Sequence, residues 1–193
     1  MRMLEKVLVV FAVLSLAGKF MLLPEAEIFF LMSMCALILI YLLFGIFLFR
    51  EKESGANDKL VSFFSGFIFS VLLTGILFKG MLWQTAGLYL RAGLVLTAIA
   101  AIVIFCVKKR KQNADVGEKY YKIMIQRCVI MIIIGTVFFL IPSKTLIRLQ
   151  FRNDPKLAEM IINCRENKGD GNCWEEIKTY RENQVLQKLD NAH

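Results

Sequence analysis

From Ile28 to Phe49 the chain runs without one charged side chain. About 20 helical residues cross a hydrocarbon core ~30 Å thick. In lipid no water is available to satisfy backbone N–H and C=O groups, so a spanning segment must bond to itself as a helix or close into a barrel. Four further apolar blocks, at about 4–23, 60–78, 86–107 and 121–141, have the same helical length. They explain why 57% of the 193 residues are hydrophobic and why the mean hydropathy is +0.57, above the ~45–50% apolar content of soluble domains. The expected fold is all-α and multi-pass. Five transmembrane helices occupy 1–142, as two similar hairpins plus one helix, and a small extracytoplasmic helical hairpin occupies 143–193. The first block also has features of a signal peptide, with Arg2 and Lys6 as the basic region and Ser15-Leu16-Ala17 as a cleavage site. A retained helix is the favoured expectation, because apolar residues continue through Phe20-Met21-Leu22-Leu23 to Pro24.

Local signals fit these boundaries. Pro24 suits a first helical turn, where its missing N–H is not needed, and Glu25 and Glu27 favour the positive end of the helix that follows. Thr85 is placed to cap the fourth helix. Arg2, Lys6, Arg50, Lys52, Lys59, Lys108 to Lys111 and Lys119 all fall on one side of the five blocks, and the opposite turns are short and poor in cations. Lys and Arg accumulate on the cytoplasmic side. The N-terminus is therefore expected inside and the C-terminus outside, in a bacterial inner membrane. The same placement accounts for the net charge of +8 through anionic lipid. Nucleic acid is not an expected partner, since the basic run is short and lacks interleaved aromatics.

The turn Lys19-Phe20-Met21-Leu22-Leu23-Pro24-Glu25-Ala26 recurs as Lys79-Gly80-Met81-Leu82-Trp83-Gln84-Thr85-Ala86, with Lys, Met, Leu and Ala coinciding. Both copies join two apolar helices in the same orientation, so the repeat is parallel and not inverted. This Lys-x-Met-Leu turn resembles the hairpin of the small inner-membrane subunit of the gliding-motility and type IX secretion motor. In that family a Lys is followed by a His, an aromatic and Pro-Gly; Leu22 and Leu82 stand at the His position here. The resemblance implies an envelope location and a shared hairpin design. No carboxylate is found mid-span.

Charged residues near spans are candidate sites. Lys19, Lys79 and Arg91 fall near the outer face at the level of Glu25 and Glu27. This outer basic and acidic cluster is either a pocket for an anion or lipid head group, or a set of snorkelling and Lys–Glu-paired side chains. Arg127 and Lys122 read as inner-end anchors. Ser62, Gly66, Ser70 and Thr74 recur every four residues, as do Gly93, Thr97 and Ala101, giving small-residue faces for close helix packing. Such faces close within one chain or between copies, which leaves a homo-oligomer open.

Cys35, Cys106 and Cys128 lie in apolar blocks as inert small hydrophobes. Cys164 and Cys173 lie in the polar tail and are expected to form a disulfide, which persists outside the cytoplasm. A metal site is the competing reading, but His193 is the only His, so no metal or cofactor is expected. Asp154-Pro155 marks a helix start, with Leu157, Ile161 and Cys164 on one face. Asn172 with Glu175 marks a second start. Residues 143–152 read as an interfacial segment.

No catalytic constellation emerges. The expected function is a non-enzymatic scaffold or accessory subunit of a bacterial envelope complex, with lipid around its helices and a protein partner docked on its outer tail. A transport or ion-driven motor subunit related to gliding and type IX secretion is the alternative.

Overall fold

A computed structural model describes residues 2–21, 25–49, 56–111, 118–167 and 171–190. Pro24, residues 50–55 and 112–117 of the two basic loops, residues 168–170 and His193 lie outside the described residues. Among the described residues the chain forms eight helices and no strand: α1 (Arg2–Phe20), α2 (Ala26–Phe49), α3 (Ala56–Gly80), α4 (Ala86–Lys111), α5 (Glu118–Leu140), α6 (Ser143–Gln150), α7 (Pro155–Glu166) and α8 (Gly171–Asp190). They divide into two compact units, Met1–Ile141 and Pro142–His193.

In the first unit α2 to α5 are each long and apolar enough to cross a membrane, so this is a membrane protein. Large apolar side chains such as Val95, Ile102 and Phe105 on α4 point outward, as lipid-facing residues must. The α1 helix carries Glu5, Lys6 and Lys19 and is not among those four. Consecutive helices pack side by side, and α3 also meets α5. The centre is α3, more than half buried along its span against a third or less for the others. Its core face carries Phe69, Leu72, Leu73 and Ile76, packed with Phe30 and Met34 of α2 and Leu90 of α4.

Close approach of α3 and α4 depends on two glycines. A Cβ on Gly75 would lie 2.7 Å from the Leu90 backbone nitrogen, and one on Gly93 would lie 2.6 Å from the Leu72 Cα. The expected ladder Ser62, Gly66 and Ser70 is buried and Thr74 is half-buried. Ser70 Oγ donates to Phe67 O at 2.7 Å, and Thr74 Oγ1 donates to Ser70 O at 2.8 Å. These bonds satisfy the hydroxyls on their own helix. Of these two glycines, Gly93 heads the expected α4 ladder, whereas Gly75 lies one residue beyond the α3 ladder and is not picked out by its spacing.

The two helical hairpins keep one register. α1 and α3 end at Phe20 and Gly80, and α2 and α4 begin at Ala26 and Ala86, an offset of 60 residues at both places. The α3 end is closed by a Schellman motif. Trp83 N donates to Phe78 O at 2.8 Å and Leu82 N donates to Lys79 O at 3.1 Å. Leu82 holds the left-handed position at φ 58, usually a glycine's. The Phe78 and Trp83 rings, 4.6 Å apart between centroids, form the apolar contact that accompanies the motif. Glu25, at φ 73, and Thr85 precede α2 and α4, and their carbonyls accept the first helical bonds.

The second unit has its own core of Leu146 and Ile147 from α6, Leu157, Ala158, Ile161, Ile162 and Cys164 from α7, and Ile177 from α8. Residues 143–150, expected as an interfacial segment, form a helix whose apolar pair is buried here. Asp154 caps α7 by accepting from Leu157 N at 3.0 Å, with Pro155 next in the chain. The α8 helix starts at Gly171, so Asn172 sits in its first turn and not before it. Cys164 and Cys173 lie at disulfide distance, Cα to Cα 5.7 Å.

Candidate functional site

Among the described residues, the buried charged groups of the membrane unit lie at two levels. At the α1–α2 and α3–α4 turns, Lys19 is buried and donates to Gly80 O at 2.7 Å and to Glu27 Oε1 at 3.1 Å, with Met81 Sδ at 3.8 Å. Lys79 is also buried and donates to Phe139 O at 3.5 Å. Gly80 and Phe139 lie in the last turns of α3 and α5, where carbonyls have no partner in their own helix and the helix end is negative. Each lysine thus supports the C-terminus of the next odd-numbered helix. At 3.5 Å the Lys79 bond is at the limit of useful geometry, so Lys19 carries the stronger link.

Arg91 stacks over the Phe139 ring at 5.9 Å, and Glu25 and Glu27 are exposed. The residues expected as one outer cluster therefore form two stations: Lys19 and Glu27 at Gly80, and Lys79 and Arg91 at Phe139. Both ammonium groups turn onto backbone carbonyls.

The second level was not anticipated in the sequence. Arg127 of α5, expected as an interfacial anchor, pairs with Glu5 of α1, Nη2 to Oε2 at 2.9 Å, and both side chains are largely covered. The Tyr41 hydroxyl of α2 donates to the other Glu5 oxygen. This clasp joins the first and last helices of the bundle. Leaving one such charge unpaired among apolar helices would cost several kcal/mol, so the three side chains act as a unit. The available signal was Glu5 itself, a lone carboxylate near the start of an apolar block flanked by cations.

Beside the clasp a crevice of about 590 Å³ opens between α1 and α5. Phe30, Met34 and Leu37 of α2 and Leu73 and Ile76 of α3 form its floor. Among the seventeen described residues that line it, only Glu5, Lys6, Tyr41 and Arg127 are polar, all at one end.

In the second unit Asp154 Oδ2 accepts from Gln184 Nε2 at 2.7 Å, and Tyr180 donates to its Oδ1 at 3.4 Å. The Leu157 N–H holds the Asp154 carboxyl below the usual carboxylate range; burial opposes it, and these two side chains and the nearby Lys156 charge add smaller lowering effects. Lys144 pairs with Glu166, and Lys156 lies 5.1 Å over the Tyr180 ring.

No protein-family model, curated protein or solved structure matches this chain.

Proposed function

We propose that the chain is a non-enzymatic scaffold or accessory subunit of a bacterial envelope complex. Five helices hold it in the inner membrane, with the N-terminus in the cytoplasm and the C-terminal unit outside, where that unit docks a protein partner. The observation that carries this reading is the self-contained build of the second unit. It has its own apolar core, a Cys164–Cys173 clamp and an Asp154–Gln184 link between α7 and α8. A module this small gains most from a staple, and a preorganised surface binds without first bearing the entropy of ordering. The engagement of Lys19 and Lys79 with helix ends agrees with a supporting role for the membrane helices.

The test is photocross-linking in intact cells, with a photoreactive residue at exposed Glu175 or Arg181, or at lipid-facing Ile102. The scaffold reading expects one discrete adduct from the tail positions, lost in the Cys164→Ser/Cys173→Ser variant. Absence of a tail adduct, or the same adduct from Ile102, would count against it.

The alternative, a transport or ion-driven motor subunit, draws on the buried Glu5–Arg127 pair, since ionisable residues within membrane helices often mark ion paths. It expects proton flux in proteoliposomes that Glu5→Gln removes, whereas the scaffold reading expects none.

A further inference from the structure

The crevice between α1 and α5 has a definite length and polarity. It extends from Glu5 to Leu16 on α1, from Phe30 to Tyr41 on α2 and from Arg127 to Phe138 on α5. Each interval is eleven residues, about 16 Å of helix at 1.5 Å per residue. That is close to half of the ~30 Å hydrocarbon core, the depth reached by the chains of one leaflet. Beyond its polar end the described lining is apolar, with Val9 of α1 and Ile130 and Ile134 of α5 beside the α2 and α3 floor. Water has no polar partners along such walls. Its volume of about 590 Å³ falls within the ~300–1,000 Å³ of small-molecule sites.

The polar end holds two cations, Lys6 and Arg127, against one carboxylate, Glu5. Glu5 accepts from Arg127 at 2.9 Å, so among the described lining residues cations outnumber carboxylates at this end, with Lys6 exposed at its edge. An ammonium near an apolar slot at a membrane surface favours an anionic head group over a zwitterionic one.

We propose that this crevice is a lipid site: it takes one acyl chain of an anionic phospholipid, with the phosphate at Lys6 and Arg127 and the chain running toward Phe30 and Phe138. The bound chain fills the opening between α1 and α5, which otherwise meet at the clasp, so the lipid completes the bundle on that side. The site is independent of any partner of the second unit.

The test uses the full-length protein in phosphatidylcholine vesicles containing a trace of phosphatidylglycerol with a diazirine in its acyl chain. After photolysis, labelled peptides are mapped by mass spectrometry. The proposal expects labelling concentrated on peptides carrying Val9–Val10 and Ile130–Ile134, at least about fivefold above the lipid-facing α4 peptide around Ile102. Unlabelled phosphatidylglycerol should compete and added phosphatidylcholine should not. Ile130→Trp, which fills an exposed wall of the crevice, should lower the α1 and α5 labelling to the α4 level. Lys6→Gln should weaken the preference for phosphatidylglycerol while leaving chain contacts in place. Both variants spare the Glu5–Arg127 clasp, and a reconstituted protein with an unchanged melting temperature establishes that each is folded. Uniform labelling of all lipid-facing helices, equal competition by both head groups, or labelling unaffected by Ile130→Trp would overturn the proposal.

Discussion

At the scale of single residues, the two turn lysines make the sharpest claims. Lys19 and Lys79 were legible as an equivalent pair because they recur in matching turns. Their acceptors were not, because a backbone carbonyl on another helix leaves no mark in the sequence. A hydrogen bond to a charged group contributes about 1.5–3 kcal/mol. Lys19→Met should therefore lower the melting temperature of the detergent-solubilised protein clearly, and Lys79→Met, with its longer bond, by less. Lys122→Met, at an exposed side chain, should have little effect. Equal melting temperatures for all three would leave only snorkelling as the role of the turn lysines. Glu5 escaped sequence reasoning for the opposite reason: its partners Tyr41 and Arg127 stand 36 and 122 residues away, so nothing local marks it as buried.

Asp154 gives the residue-scale pH prediction. Its carboxyl is held low chiefly by the Leu157 N–H. A folded pKa below the unfolded value of ~3.9 means that its contribution is fully present above that value. The contribution is lost as the pH falls through the lower folded value. Asp154→Ala should cost the second unit about 1 kcal/mol at neutral pH, the usual loss for a helix cap. The gap from the native protein should narrow below pH ~4, measured in the full-length protein by hydrogen exchange of the α7 amides. A gap independent of pH would show that the carboxylate charge does not stabilise the cap.

Individual elements were read well where their cause is local. Apolar blocks set α2 to α5 to within a few residues, and Asp154-Pro155 set the start of α7. Helix ends carried further than the blocks: α3 begins at Ala56 and α4 runs to Lys111, because backbone bonding continues into polar residues once a helix is under way. The packing of elements was less legible. The small-residue ladder on α3 is buried and Gly93 of the α4 ladder meets Leu72, yet the matching close approach on α3 falls at Gly75, outside its ladder, since a glycine's partner depends on the crossing point and not on spacing alone. Gly93→Ala puts a methyl against the Leu72 backbone and should cost about 1–3 kcal/mol. Gly87→Ala, with open space around its Cβ position, should cost nothing and is the control for helix propensity. Thermal unfolding in detergent compares them.

The Cys164–Cys173 pair is an element-scale device as well, joining α7 to α8 across a separation of nine residues. A short loop of this kind yields about 2–3 kcal/mol of chain restriction. Reductant should therefore make the second unit of the intact protein susceptible to protease before the membrane helices are affected. Full thiol labelling of both cysteines without reductant would remove the clamp from the account.

For the molecule as a whole, the decisive element is α1. Its charges keep it out of the set of helices apolar enough to span by composition, but Glu5 is paired with Arg127 and Lys19 with Glu27 and Gly80. Pairing removes much of the cost of carrying them into lipid. Composition along one helix could not reveal this, because the neutralising groups are supplied by α2, α3 and α5. The number of crossings has a parity that experiment can read directly. Reporters active only in the cytoplasm or only outside it are fused, one at a time, before Met1 and after His193, and their activity is measured in intact cells. Five crossings predict a cytoplasmic N-terminus and an external C-terminus. Both ends on the same side would mean that α1 does not cross the membrane, and the five-helix account would be wrong.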